Sequence, residues 1–196
     1  MLAHIGGTLL SLIIPLIIHP LIMLLSSLLT IGGIFMAIII VGLILVLIAI
    51  LIPLSTGVMS DMALDAVDGK KIDMRKSLNR ACSRILDLIL LMFLIFIIAL
   101  VASIIPVIGP TIVVTLFAPA PLLVIMNRSF GDALTESYRI IIDAWDVDRN
   151  FVIVIFLIHL FSKITTGSLG IIIDIITIPY SYILIALYLR RYLEIR

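Results

Sequence analysis

The first sixty residues contain no Asp, Glu, Lys or Arg. That absence excludes a water-facing surface for the stretch, because soluble domains carry roughly a quarter charged residues spread over their faces. The opening MLAHIGGTLL also lacks the Lys or Arg of a signal-peptide n-region, and its apolar run continues far past a normal h-region, so no cleaved leader is expected. Cys82 is the single cysteine, which excludes an intrachain disulfide; flanked by Arg80 and Arg84, it reads as a spectator thiol. The 13 Lys and Arg nearly balance the 12 Asp and Glu, and all are confined to short regions. Such a distribution gives no basic face for nucleic acid.

What is present is apolar side chain: 63% of the 196 residues, with a mean hydropathy of +1.39. The expected solvent is therefore a lipid bilayer. A crossing needs about 20 residues at 1.5 Å each, so an uncharged block of this length crosses twice and turns within itself. The turn falls between Ser26-Ser27 and Gly32-Gly33. Apolar blocks at 85–126 and 151–189 divide in the same way, at Pro106-Gly109-Pro110 and at TTGSLG. The expected fold is an all-α polytopic membrane bundle of six transmembrane helices in three hairpins, forming a single domain over 1–196. The spans are placed at about 5–27, 34–55, 85–105, 111–126, 151–165 and 171–189. A cytoplasmic helical hairpin at 56–84 and an interfacial amphipathic helix at 129–145 complete it.

Charge tests this topology independently. With six spans, the connectors 61–84 and 127–149 and the tail 190–196 share one side, and together they hold every Lys and Arg except Lys163. The positive-inside rule then places both termini in the cytoplasm of a multi-pass cell-membrane protein.

Within 56–84, Asp61, Asp65 and Asp68 form one acidic stripe at i, i+4 and i+7. Carboxylates near a helix C-terminus oppose the macrodipole, so they call for partners. Lys76, Arg80 and Arg84 follow at four-residue spacing. With a turn at Gly69 to Asp73, and Asp73 as the next N-cap, the two stripes face each other in order. The alternatives are an acidic metal site on Asp61, Asp65 and Asp68, a basic site for phosphate on the second stripe, or solvated, unpaired faces. Asp65-Ala-Val-Asp68-Gly69 resembles the start of the D-x-x-D-G signature of CDP-alcohol phosphotransferases, six-span enzymes that would use these carboxylates with a metal. The sequence departs where that family has Ala-Arg, carrying Ile72-Asp73 instead, and the later carboxylates that complete the family's site are missing.

Polar groups inside spans are functional suspects, because a mid-bilayer charge costs about 2.5–3.5 kcal/mol. Lys163 and Asp174 flank the TTGSLG turn and read as an ion pair or as snorkelling side chains. His159, one turn before Lys163, admits a proton or ion relay, and His19 beside Pro20 reads as satisfying a carbonyl opened by a kink. Pro53, Pro119, Pro121 and Pro179 kink the second, fourth and sixth spans, which would line a cavity or pore or simply pack as bent helices. In 127–149, Phe130, Leu134, Tyr138, Ile141 and Trp145 recur at helical spacing, and Ser129 stands at the N-cap position with Asp132 three residues on.

The run Phe117-Ala-Pro-Ala-Pro-Leu-Leu-Val, then Arg128 to Arg139, then Asn150-Phe151, Ile178-Pro-Tyr and Leu187-Tyr-Leu-Arg-Arg resembles a group of prokaryotic six-span domains over about 115–193. The group includes the membrane domain attached to some glycerophosphodiester phosphodiesterases and archaeal DUF4013-like proteins. The resemblance implies a helical membrane domain and no catalytic residues. These readings lead to a non-enzymatic membrane protein without a cofactor, a homo-oligomer or one with a membrane-protein partner, acting as a pore or ion channel, a small transporter or a scaffold. A metal-dependent lipid-headgroup enzyme and an accessory subunit docking a soluble partner are the alternatives.

Overall fold

Long uninterrupted runs of Ile, Leu and Val punctuated by Gly and Pro can satisfy their backbone only internally, and helices do so segment by segment. The computed structural model describes residues 31–164 and 167–195, with side chains at 34–162, 164 and 176–194. Helix makes up 87% of it and no strand occurs among the described residues, so the class is all-α. The helices are α1 (Ile31–Val67), α2 (Met74–Ser83), α3 (Ile85–Ala102), α4 (Ile108–Leu116), α5 (Ala120–Ile125), α6 (Phe130–Val147), α7 (Arg149–Ile164) and α8 (Gly167–Ile195). Three segments are long and apolar enough to cross a membrane: Ile34–Val67, Ile85–Ala102 and Ile108–Ile125. The expected first span, 5–27, and His19 lie outside the described residues, as do the side chains of Lys163 and Asp174.

The stretch expected as one fourth span is two helices. Leu116 ends α4, residues 117–119 form turns, and Pro119 caps the N-terminus of α5. Two prolines two residues apart cause the break, since neither Pro119 nor Pro121 has an N–H to continue the ladder.

The core sits at the end of the bundle nearest the charged connectors. Leu64 of α1, Leu88 and Leu91 of α3, all six residues of α5, Ile140 of α6, Ile155 of α7 and Leu189 of α8 are buried there. The other end shows the reverse. The α1 stretch around Phe35, Leu43 and Val46 is exposed on several faces, and α3 exposes one face through Phe93, Phe96 and Leu100. Helices apolar all round and uncovered by protein belong in lipid.

Local signals set the helix ends. Asp73 caps α2 by accepting from the backbone N–H groups of Arg75 (2.9 Å) and Lys76 (3.3 Å). Ser129 caps α6, its Oγ accepting from Asp132 N at 3.2 Å and donating to Asp132 Oδ2 at 2.7 Å. At the end of α1, Gly69 takes φ +66°, with Lys70 N donating to Asp65 O at 2.8 Å and Gly69 N to Ala66 O at 3.2 Å. The end of α5 repeats this with Asn127 at φ +69°. Both are Schellman closures.

The buried face of α6 is Ala133, Leu134, Ser137, Ile140, Ile141 and Ala144. It is rotated from the stripe expected around Phe130, Leu134, Tyr138, Ile141 and Trp145, because Tyr138 and Trp145 are half-exposed and point away from the core. Small residues at 133, 137 and 144 let α6 lie closer to the bundle than the large aromatics would, so the aromatics occupy the outer edge.

Candidate functional site

Two regions gather polar side chains among otherwise apolar helices. The first is the charged turn between α1 and α2. α2 folds back along the end of α1, and the close approach is made at Gly57, where a Cβ would stand 2.6 Å from Leu88 Cδ1 and 3.0 Å from Ala81 Cβ. That contact fixes the register. Asp61 pairs with Arg80, and Asp65 pairs with Lys76 at 3.3 Å. The carboxylates of Asp61 and Asp65 are almost wholly buried while their cations remain 41% and 48% exposed, so each pair spans from interior to surface. Asp61 Oδ2 and Ser77 Oγ are enclosed without hydrogen-bond partners among the described residues.

The remaining members of the two stripes do not meet. Asp68 binds Lys70 and Arg190, each at 2.6 Å, and so ties the end of α8 to the turn. The hydrogen bond from Lys70, reinforced by Arg190, holds the Asp68 carboxyl below its ordinary value of 3.8. Arg84 lies past the end of α2, one register step beyond the acidic stripe. It pairs with Asp87 at 3.4 Å and donates to Val124 O (3.3 Å) and Arg128 O (2.6 Å), which ties the start of α3 to the end of α5. Each acidic side chain of the stripe is thus engaged by a different cation. No group of three or more His, Cys, Asp or Glu placed to hold a metal ion occurs among the described residues.

The second region is a cavity of about 250 Å³ bordered by α3, α4, α5, α7 and α8. Phe117, Ala118 and Pro121 bring the α4–α5 break to its wall, and His159, Ser162, Thr177, Ser181 and Tyr182 add five hydrogen-bonding side chains. Ser181 Oγ donates to Ile178 O at 2.7 Å, which satisfies its hydrogen locally and leaves the oxygen an acceptor. Thr115 Oγ1 likewise donates to Thr111 O at 2.8 Å, so at 3.2 Å from His159 Nδ1 it accepts from the ring. The histidine is thereby assigned the tautomer with its proton on Nδ1. Tyr182 is hydrogen-bonded to Thr56, joining this wall to α1.

Of the four prolines, Pro121 lines the cavity and Pro119 is buried at the break. Pro179 lies inside α8 between the lining residues Ile178 and Ser181, while Pro53 lies in α1, which contributes no lining residue among those described. Of the spans expected to line a cavity, the fourth and sixth contribute to this wall, together with α3 and α7. The hydroxyls at 162, 177, 181 and 182 were missed because attention to charge, histidine and proline passes over Ser, Thr and Tyr. Thr177-Ile-Pro-Tyr-Ser-Tyr182 is a dense polar run inside an apolar block and carried the signal.

A larger open cleft of about 570 Å³ lies at the charged end between α6 and α8, lined by Asp143, Asp146, Asp148, Tyr188, Arg191 and Tyr192. Its polar groups engage one another, as in the 2.6 Å bond donated by Tyr192 Oη to Asp143. No family model, curated protein or solved structure matches the chain.

Proposed function

We propose that the chain is a six-span cell-membrane protein, homo-oligomeric and with both termini in the cytoplasm, that passes a small solute through the cavity beside the α4–α5 break. The observation that carries this is a helix interrupted where polar groups from two other helices, α7 and α8, converge. Interrupted backbone at membrane depth is tolerated where protein or a water-filled cavity covers it, and broken helices at such depth are a recurrent feature of solute sites in transporters. Counted at 1.5 Å per residue from Arg149 along α7, His159 lies about 15 Å deep, and Ser181, counted from Arg190 along α8, about 13 Å. Both depths are close to the middle of a hydrocarbon layer of about 30 Å. The resemblance to prokaryotic six-span domains supports the same architecture and adds no catalytic role.

The charged turn supports the orientation. Its six Lys and Arg are drawn to the cytoplasmic side, and exposed Cys82 offers a built-in reporter. A membrane-impermeant maleimide is expected to label Cys82 in inverted vesicles and not in right-side-out ones. Reconstituted into liposomes, the protein is expected to raise solute permeability above that of protein-free vesicles. Labelling from the outside would overturn the orientation, and unchanged permeability to neutral solutes and ions alike would overturn the passage.

A further inference from the structure

Resting on that reading, we infer that the solute is small and uncharged and is recognised through hydrogen bonds, a short polyol or an amide of the size of glycerol or urea.

Three observations bear on the choice. The first is volume. At about 30 Å³ for each water in the liquid, the 250 Å³ cavity holds about eight waters, which suits a solute of a few non-hydrogen atoms. The second is charge. No Asp, Glu, Lys or Arg stands among the described lining residues, and Asp61, Asp65 and Asp68 of the charged turn are engaged by cations. An ion entering the cavity would give up hydration without a counter-charge among the described lining residues, the costly case in a low-dielectric interior. A neutral solute gives up only hydrogen bonds, and the wall can replace them.

The third is the hydrogen-bond character of the wall. Ser181 has donated its hydrogen to Ile178 O, so it meets a solute as an acceptor. Tyr182 and Thr177 stand on the same helix within reach of the same space, and Ser162 and His159 face them from α7. Apolar lining from Met92, Ile95 and Val114 closes the remainder. Few placed polar groups on an apolar ground orient a small solute and leave it able to depart.

The test is stopped-flow light scattering on proteoliposomes of the full chain, with glycerol and urea as probes and potassium flux measured in the same preparation. Both neutral probes are expected to equilibrate faster than in protein-free vesicles while potassium flux stays at background. Ser181→Leu, which fills the chamber, is expected to abolish the excess rate. Thr177→Val, nearly isosteric and lacking only the hydroxyl, is expected to reduce it, and it keeps the test intact if the leucine variant does not fold. Cys82→Ser, exposed on the charged turn, is expected to leave it unchanged. Potassium flux without neutral permeation would overturn the solute class while sparing the passage. Absence of both would overturn the two together. Neutral permeation indifferent to both cavity variants would remove the cavity as its route.

Discussion

The charged turn and the polar cavity both bury polar atoms in an apolar bundle, and they satisfy them with different chemistry. In the turn, each carboxylate is held by a cation from another segment: Asp61 by Arg80, Asp65 by Lys76, Asp68 by Lys70 and Arg190. Those groups are consumed in joining helices. In the cavity the wall is uncharged: Ser181 is satisfied within its own helix by Ile178 O, one turn back, while Thr115 accepts from His159 and Tyr182 bonds Thr56 across helices. Ion pairing here marks structure, and a neutral hydroxyl satisfied locally, as at Ser181, marks a surface that can still receive a guest.

That contrast can be broken most directly at Arg80. Arg80→Ala strands the Asp61 carboxylate in the interior, and thermal unfolding in detergent is expected to show a loss of about 3 kcal/mol, the lower part of the range for a buried pair that loses one partner. An equal loss on Ser181→Ala would erase the distinction between the two regions. Gly57→Leu is next, expected to cost about 1–3 kcal/mol by overpacking against Leu88 and Ala81 and to shift the register of the turn. Its signature is that a double-mutant cycle on Asp61 and Arg80 performed in this background loses its coupling. Smaller effects attach to the exposed partners. An Asp65–Lys76 cycle is expected to return less than an Asp61–Arg80 cycle, because Asp61 lies deeper, and an Asp65–Arg80 cycle less than either.

The smallest effect is with pH. Asp68 has a folded pKa below its unfolded value near 3.8, so its ion pairs contribute fully above that value. The contribution fades as pH drops below 3.8 and is gone once the pH has fallen through the folded value. The melting temperature of Asp68→Asn is therefore expected to lie below that of the parent at neutral pH and to converge with it at strongly acidic pH. A constant gap across that window would detach Asp68 from the pairs assigned to it.

Much of the turn was legible in the chain. Aspartates at i, i+4 and i+7 followed by basic residues at four-residue intervals leave few arrangements, and Gly69 and Asp73 mark where one helix stops and the next begins. The register was not legible, because charge spacing alone does not say which pair is level. Gly57 decides that, and its meaning depends on Ala81 and Leu88 arriving from elsewhere in the sequence. All-helical architecture followed from the long apolar blocks, whereas the division of 108–125 into two helices required weighing Pro119 and Pro121 together. The cavity was the least legible feature. Its hydroxyls are scattered over α7 and α8, each harmless in its own helix, and only packing brings them to one space.

The bond from Arg190 to Asp68 joins residues 122 positions apart, whereas the Asp65–Lys76 and Asp61–Arg80 pairs close 11 and 19. Closing a longer loop costs more chain entropy, so the short pairs are able to form as soon as α2 exists and the long one must wait for α8. Opening runs in the reverse order. The last helix is the one that lets go first, and amide exchange at its charged end is expected to outpace exchange in the turn. The aspartate at the edge of the turn thus works as the clasp of a necklace whose beads are already strung.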